Sequence, residues 1–159
     1  MTWHERVDAL WSAFTGMTEA DFMRQIEGLA AERPSGDAEA MFELASAHDS
    51  LGHEGKAVPL YKRALAGGLT GARRRRAVIQ LGSSLRNLGL ANEAVALLSE
   101  ERDAGSDELD DAVSAFLALA LIDAGKPKKG AALALTALSR HLCRYNRSLG
   151  SYAQNIDTE

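Results

Sequence analysis

Apolar and small side chains recur at three- and four-residue intervals along most of the chain, the spacing that lines one face of an α-helix. Trp3, Val7, Leu10, Trp11 and Phe14 share such a face, in a helix expected to end near Gly16. Thr18-Glu19-Ala20-Asp21 has the form of a capping box and opens a second helix, predicted to run to Arg33 before Pro34-Ser35-Gly36. Three further stretches then keep the period: Met41, Leu44, Ala45 and His48; Val78, Leu81, Gly82 and Leu85; Ser114, Leu117, Ala118 and Leu121. After each comes a second stretch with small or apolar residues at i, i+4 and i+7. These are Ala57, Tyr61 and Ala64, then Ala94, Leu98 and Glu101, then Gly130, Ala134 and Ala137. Leu138, Leu142, Tyr145, Leu149 and Tyr152 continue the spacing to the C-terminus. Nothing between Ala131 and Leu149 is a strong breaker, so this cap is read either as a separate helix or as an extension of the one before it.

The paired stretches are copies of one unit. Leu51-Gly52-His53-Glu54-Gly55-Lys56-Ala57-Val58 recurs as Leu88-Gly89-Leu90-Ala91-Asn92-Glu93-Ala94-Val95, and more loosely as Ala124-Gly125-Lys126-Pro127-Lys128-Lys129-Gly130-Ala131. The glycines are 37 and 36 residues apart. Each sits where a left-handed C-cap would end a helix, a conformation that costs glycine little. A turn that tight makes the two helices antiparallel. One such hairpin cannot bury its apolar face alone, so neighbouring hairpins must stack.

On these residues the pattern resembles the tetratricopeptide repeat, whose units pair two antiparallel helices in about 34 residues. Leu44-Ala45, Leu81-Gly82 and Leu117-Ala118 match the family's large-then-small pair in the first helix, and Ala57, Ala94 and Gly130 match the first small residue of the second. The resemblance covers roughly Asp37 to Cys143. It implies an all-α fold: a right-handed α-solenoid of three such repeats with helical caps at both ends. A single domain over residues 1–159 is expected, divided as cap 1–36, repeats 37–72, 73–109 and 110–143, and cap 144–159. The chain departs from the family in three ways. No repeat keeps both aromatic positions of the first helix, Glu101 replaces a later alanine of the second, and the closing proline is missing throughout.

Composition agrees with one globular domain: 46% of residues are hydrophobic and 25% charged. A formal charge of −4 weighs against a phosphate-backbone binder, since such affinity rests on clustered cations that release counterions. No run approaches the length of a membrane span, and the N-terminal Met1-Thr-Trp-His-Glu-Arg has no signal-peptide character, so no membrane role is expected and the cytoplasm is the expected compartment. Cys143 is the single cysteine and has no internal partner for a disulfide.

Candidates for chemistry are few. His53-Glu54 lacks the second histidine of a zinc-protease helix, and His141 and Cys143 lack a companion pair of metal ligands. No nucleophile motif is present, so neither an enzyme nor a cofactor is expected. The outlier is Arg73-Arg74-Arg75-Arg76, four cations near a helix start, where the macrodipole favours acids. By repeat alignment Arg74 is equivalent to Asp37 and Asp110, and Arg76 to Glu39. A charge ladder Asp37, Arg74, Asp110 across stacked repeats is therefore expected ahead of nucleic-acid or anion binding by this run.

The resemblance further implies that first helices line a concave groove that receives peptides or helices. Carried over by register, the lining is Phe42, Glu43, Ser46 and Asp49; Ile79, Gln80, Ser83, Arg86 and Asn87; and Phe116, Leu119 and Asp123. The lysine of the family's carboxylate clamp has no counterpart there. The expected function is an adaptor or scaffold that binds an unidentified protein or peptide. A homo-oligomer joined through its terminal helices is the alternative, and residues 1–16 are the segment that would fill the groove if it is not open.

Overall fold

The computed structural model describes residues 1–156, and within them every regular element is helical. The helices are α1 Trp3–Ala13, α2 Glu19–Ala31, α3 Ala38–Ser50, α4 Glu54–Ala66, α5 Gly71–Asn87, α6 Ala91–Ala104, α7 Asp110–Asp123, α8 Pro127–Ser139 and α9 Asn146–Asn155, with one 3-10 turn, Phe14–Gly16, after α1. The pairs α3/α4, α5/α6 and α7/α8 fall on the three expected repeats. Residues 157–159 of the expected C-terminal cap lie outside the described residues. The chain forms two compact units that divide within α5, one ending at Ala77 and the next starting at Val78.

The repeated glycines do what their spacing predicts. Gly52, Gly89 and Gly125 have φ of 76°, 79° and 76°. After each, the next residue donates its N–H back to a carbonyl five residues earlier: His53 to His48 at 2.8 Å, Leu90 to Leu85 at 2.9 Å and Lys126 to Leu121 at 2.8 Å. This double-bonded C-cap satisfies carbonyls that the helix end would leave open. A residue with a Cβ pays about 1–2 kcal/mol to adopt that backbone, which is why the three turns share one residue type.

In the first unit, Thr2 caps α1 with a complete capping box and Thr18 accepts from the Asp21 N–H at the start of α2. α2 stops at Ala31, short of the expected Arg33. Leu10, Phe22, Ile26 and Ala47 form a buried cluster with Trp11, Phe14 and Leu44 packed around it. Trp11, Phe14 and Phe22 meet ring to ring, with centroids 4.7–5.7 Å apart. The aromatic face of α1 is therefore spent on packing inside the unit. Ala57, Tyr61 and Ala64 of α4 are fully buried, as their spacing predicts.

In the second unit the small residues set how closely helices approach. A Cβ on Gly82 would lie 2.7 Å from the Leu98 side chain of α6, and one on Gly130 would lie 2.6 Å from the Ala118 carbonyl oxygen of α7. Ala94, Leu98 and Glu101 are buried on α6, and Gly130 and Ala137 on α8. Ala134, expected on the same buried face, is exposed, and α8 buries Ser139 instead. The C-terminal cap is a separate helix. The chain turns at Tyr145, whose φ is 68°, and the Asn146 side chain donates to the Ser139 carbonyl at 2.9 Å and to the Leu142 carbonyl, closing the end of α8.

Candidate functional site

The first helices carry the candidate lining, and the two units treat it differently. In the first unit it is covered. Phe42 is fully buried, its ring 6.3 Å from that of Tyr61 and its face under the Arg76 guanidinium at 5.3 Å. Glu43 is buried too, accepting from the Trp11 indole N–H at 2.8 Å and lying 3.4 Å from Arg73 Nε. Ser46 is buried, and the Tyr61 hydroxyl lies 3.5 Å from it and 3.3 Å from Asp49, with one proton between them. Burial pushes the Tyr61 phenol well above its ordinary range, so it stays a neutral donor.

Phe42, Glu43 and Ser46 are thus corrected from an open lining to core positions. Trp11 reaches across from α1 to take the carboxylate that would have faced a ligand. His4 on the same helix lies 2.9 Å from Glu39, which is also 3.2 Å from Arg33 and 3.8 Å from Arg73. Trp3 donates to the Leu29 carbonyl at 2.8 Å, with the Arg33 guanidinium 5.0 Å over its ring. Glu43 and Glu39 of α3 are taken by Trp11 and His4 of α1, Phe42 and Ser46 lie against Tyr61 of α4, and Asp49 alone of the four candidates stays half-exposed.

The arginine run belongs to this closure. Arg73 reaches Glu39 and Glu43, Arg75 is buried, and Arg76 lies on Phe42. The two acids of the expected ladder, Asp37 and Asp110, each also have partners within their own segment. Asp37 caps α3 by accepting from the Ala40 N–H at 2.9 Å and pairs with Arg33 at 3.0 Å. Burial works against its charge, but the Ala40 N–H and Arg33 prevail and hold its carboxyl below the usual range. Asp110 accepts from Ser106 and from the Asp107 N–H in its own loop. Two of the four arginines are held within the first unit and a third is buried, so the run is not an open cationic stripe.

In the second unit the lining stays accessible. Arg86, near the end of α5, donates to Asp123, at the end of α7, at 3.0 Å and to the Asn87 side-chain oxygen at 3.1 Å. Its Nε is buried with no hydrogen-bond partner. Asn87 and Asp123 are exposed, Gln80, Ser83 and Phe116 half-buried, and Leu119 is 41% exposed beside Ile122 at 45%. Ile79 is the exception, buried at 6% exposure. The structure therefore brings Arg86, Asn87 and Asp123 together next to an apolar strip on α7. A guanidinium, an amide and a carboxylate beside Leu119 can exchange hydrogen bonds with a peptide while the leucine loses water. The Arg86–Asp123 pair is half-exposed, and such pairs are worth about 0.2–1 kcal/mol, so a competing carboxylate meets little resistance.

His48 is half-buried, with its ring centroid 5.9 Å from that of His53, and burial followed by the Lys56 charge lowers its pKa. His141 lies 2.7 Å from Asp111, which Arg140 also binds. Among the described residues no group of three or more His, Cys, Asp or Glu is placed to hold a metal ion, and no helix is long and apolar enough to cross a membrane. Two features escaped the sequence reading. The tryptophan N–H groups had to find acceptors once half-buried, which pointed toward contacts such as Trp11–Glu43 without naming the partner. The charge is also unevenly distributed along the chain, with six Lys or Arg and no Asp or Glu in residues 125–156.

Comparison with known proteins gives one match. A family model described as tetratrico peptide repeat matches residues 38–156, from the first residue of α3 to the last described residue. No curated protein and no solved structure matches the chain.

Proposed function

Because the chain belongs to the tetratricopeptide repeat family, a repeat that generally mediates protein–protein interaction, we propose that it is an adaptor whose α5/α7 face binds a peptide or a partner domain. The observation that carries this reading is the accessible Arg86–Asp123–Asn87 cluster beside Leu119, set against the closed face of the first repeat. Arg86 and Asn87 supply donors, Leu119 and Phe116 supply the apolar contact, and Asp123 is the internal carboxylate that an incoming one displaces. The exposed Cys143 fits work in a reducing compartment such as the cytoplasm.

Site-specific photo-crosslinking tests the placement. A photoreactive amino acid at Leu119 or Asn87 is expected to trap a discrete adduct in an extract of the native cell, and the same group at the exposed Gln25 of α2 is expected to trap none. Adducts that form equally at Gln25, or at neither α5/α7 position, contradict the proposal.

A further inference from the structure

Residues 125–156 carry six cations, Lys126, Lys128, Lys129, Arg140, Arg144 and Arg147, and no Asp or Glu, whereas the 124 residues before them carry 12 Lys or Arg against 20 Asp or Glu. A segment this one-sided within an acidic chain is a field built at one place. Arg140 is spent on Asp111. Arg144 and Arg147 are exposed, and between them stands Tyr145, 77% exposed and held at the φ of 68° that only strained non-glycine residues adopt. Tyr152, on α9, is 70% exposed and shares an open surface depression with Tyr145, the residue just before the helix. Tyr145, Asn146, Arg147, Ser148, Ser151 and Tyr152 line this shallow depression, with Arg144 next to it in sequence. Apart from Arg147, its side chains are uncharged and rich in hydroxyls, so it offers donors and aromatic surface and no anion.

We propose that this outer face of α9 is a second docking surface, and that its occupant is an acidic protein segment bearing aromatic residues. Charge complementarity names the acid: Arg144 and Arg147 are exposed cations in a stretch, residues 125–156, with no Asp or Glu of its own, and they gain carboxylate partners from an acidic segment. The exposed rings name the rest, because two tyrosines left in water at this spacing lose it by packing on another apolar side chain. A nucleic acid is the poorer fit. Its long phosphate backbone would have to follow a wide cationic track, whereas this face offers only Arg144 and Arg147. This surface is separate from the α5/α7 face, so either reading stands if the other fails.

The test is a fluorescence anisotropy titration of the full chain with a short labelled peptide of repeated Glu-Glu-Phe. Saturable binding is expected, weakening as salt is raised. The charge-reversed double variant Arg144→Glu/Arg147→Glu should lose at least about tenfold in affinity, and Tyr145→Ser/Tyr152→Ser severalfold. The same peptide with Gln for Glu should bind less tightly. All four side chains are exposed, and circular dichroism should confirm that both variants keep the parent's helicity. Four outcomes overturn the proposal. The first is no saturable binding, and the second is equal affinity in the charge-reversed variant. The third is tighter binding of a single-stranded oligonucleotide than of the peptide. The fourth is a dimer, detected by sedimentation without peptide, that the charge reversal dissociates, which would seat a second copy on this face.

Discussion

The indole N–H of Trp11 donates to the Glu43 carboxylate at 2.8 Å, a contact that takes one of the candidate lining residues of the first repeat into the core. Glu43 is buried, so removing its donor leaves an underpaired charge. Trp11→Phe keeps most of the apolar contact with Phe14 and Phe22 and should cost about 1–3 kcal/mol. Chemical denaturation checks it. In a double-mutant cycle with Glu43→Leu, the double variant should lose less than the sum of the two single losses, whereas full additivity would mean the pair is not coupled.

Two glycines separate backbone strain from steric conflict. A Cβ on Gly89 meets nothing within 4 Å, so Gly89→Ala should pay only for its φ of 79°, about 1–2 kcal/mol. At Gly130 the added Cβ would lie 2.6 Å from a backbone oxygen of α7, which cannot swing aside as a side chain would. Gly130→Ala should therefore be the more damaging, even though alanine is the better helix former. Thermal unfolding ranks them, with about 2–4 °C expected for each kcal/mol.

How much of this was legible beforehand follows from where each constraint originates. The turns at Gly52, Gly89 and Gly125 were readable because a positive φ is a local demand that one residue type meets. The buried positions of α4 and α6 were readable because small residues at helical spacing leave few ways to pack. The closure of the first repeat was not, because the acceptor of the Trp11 N–H lies 32 residues away on α3 and no local pattern specifies it. The break between α8 and α9 stayed one of two open readings for a similar reason. No glycine or proline stands there, and the turn is made by Tyr145 in a left-handed conformation with Asn146 closing the carbonyls behind it.

Asp37 should give the cap of α3 a pH signature. Its carboxyl is held below the ordinary aspartate value of 3.8, so the folded state favours the charged form. The stability this contributes is present above that value and is lost as pH falls through the lower folded-state pKa. Asp37→Asn keeps a capping side chain but cannot ionise. The Tm advantage of the parent over this variant should be present at neutral pH and disappear once the aspartate is protonated. An advantage that stays constant through acid would assign it to shape rather than charge.

The α5/α7 face carries the central claim, and an affinity measurement on a partner trapped through Leu119 tests it most directly. Isothermal titration of that partner against the parent and against Arg86→Ala/Asn87→Ala should show a loss of about tenfold or more, as expected when anchor residues are truncated. The variant should retain the parent's helix content and Tm to within a few degrees, because Asn87 is exposed and the half-buried Arg86 gives up a partly exposed ion pair worth about 0.2–1 kcal/mol. Equal affinity for the two proteins would contradict the account and move the binding surface off this face.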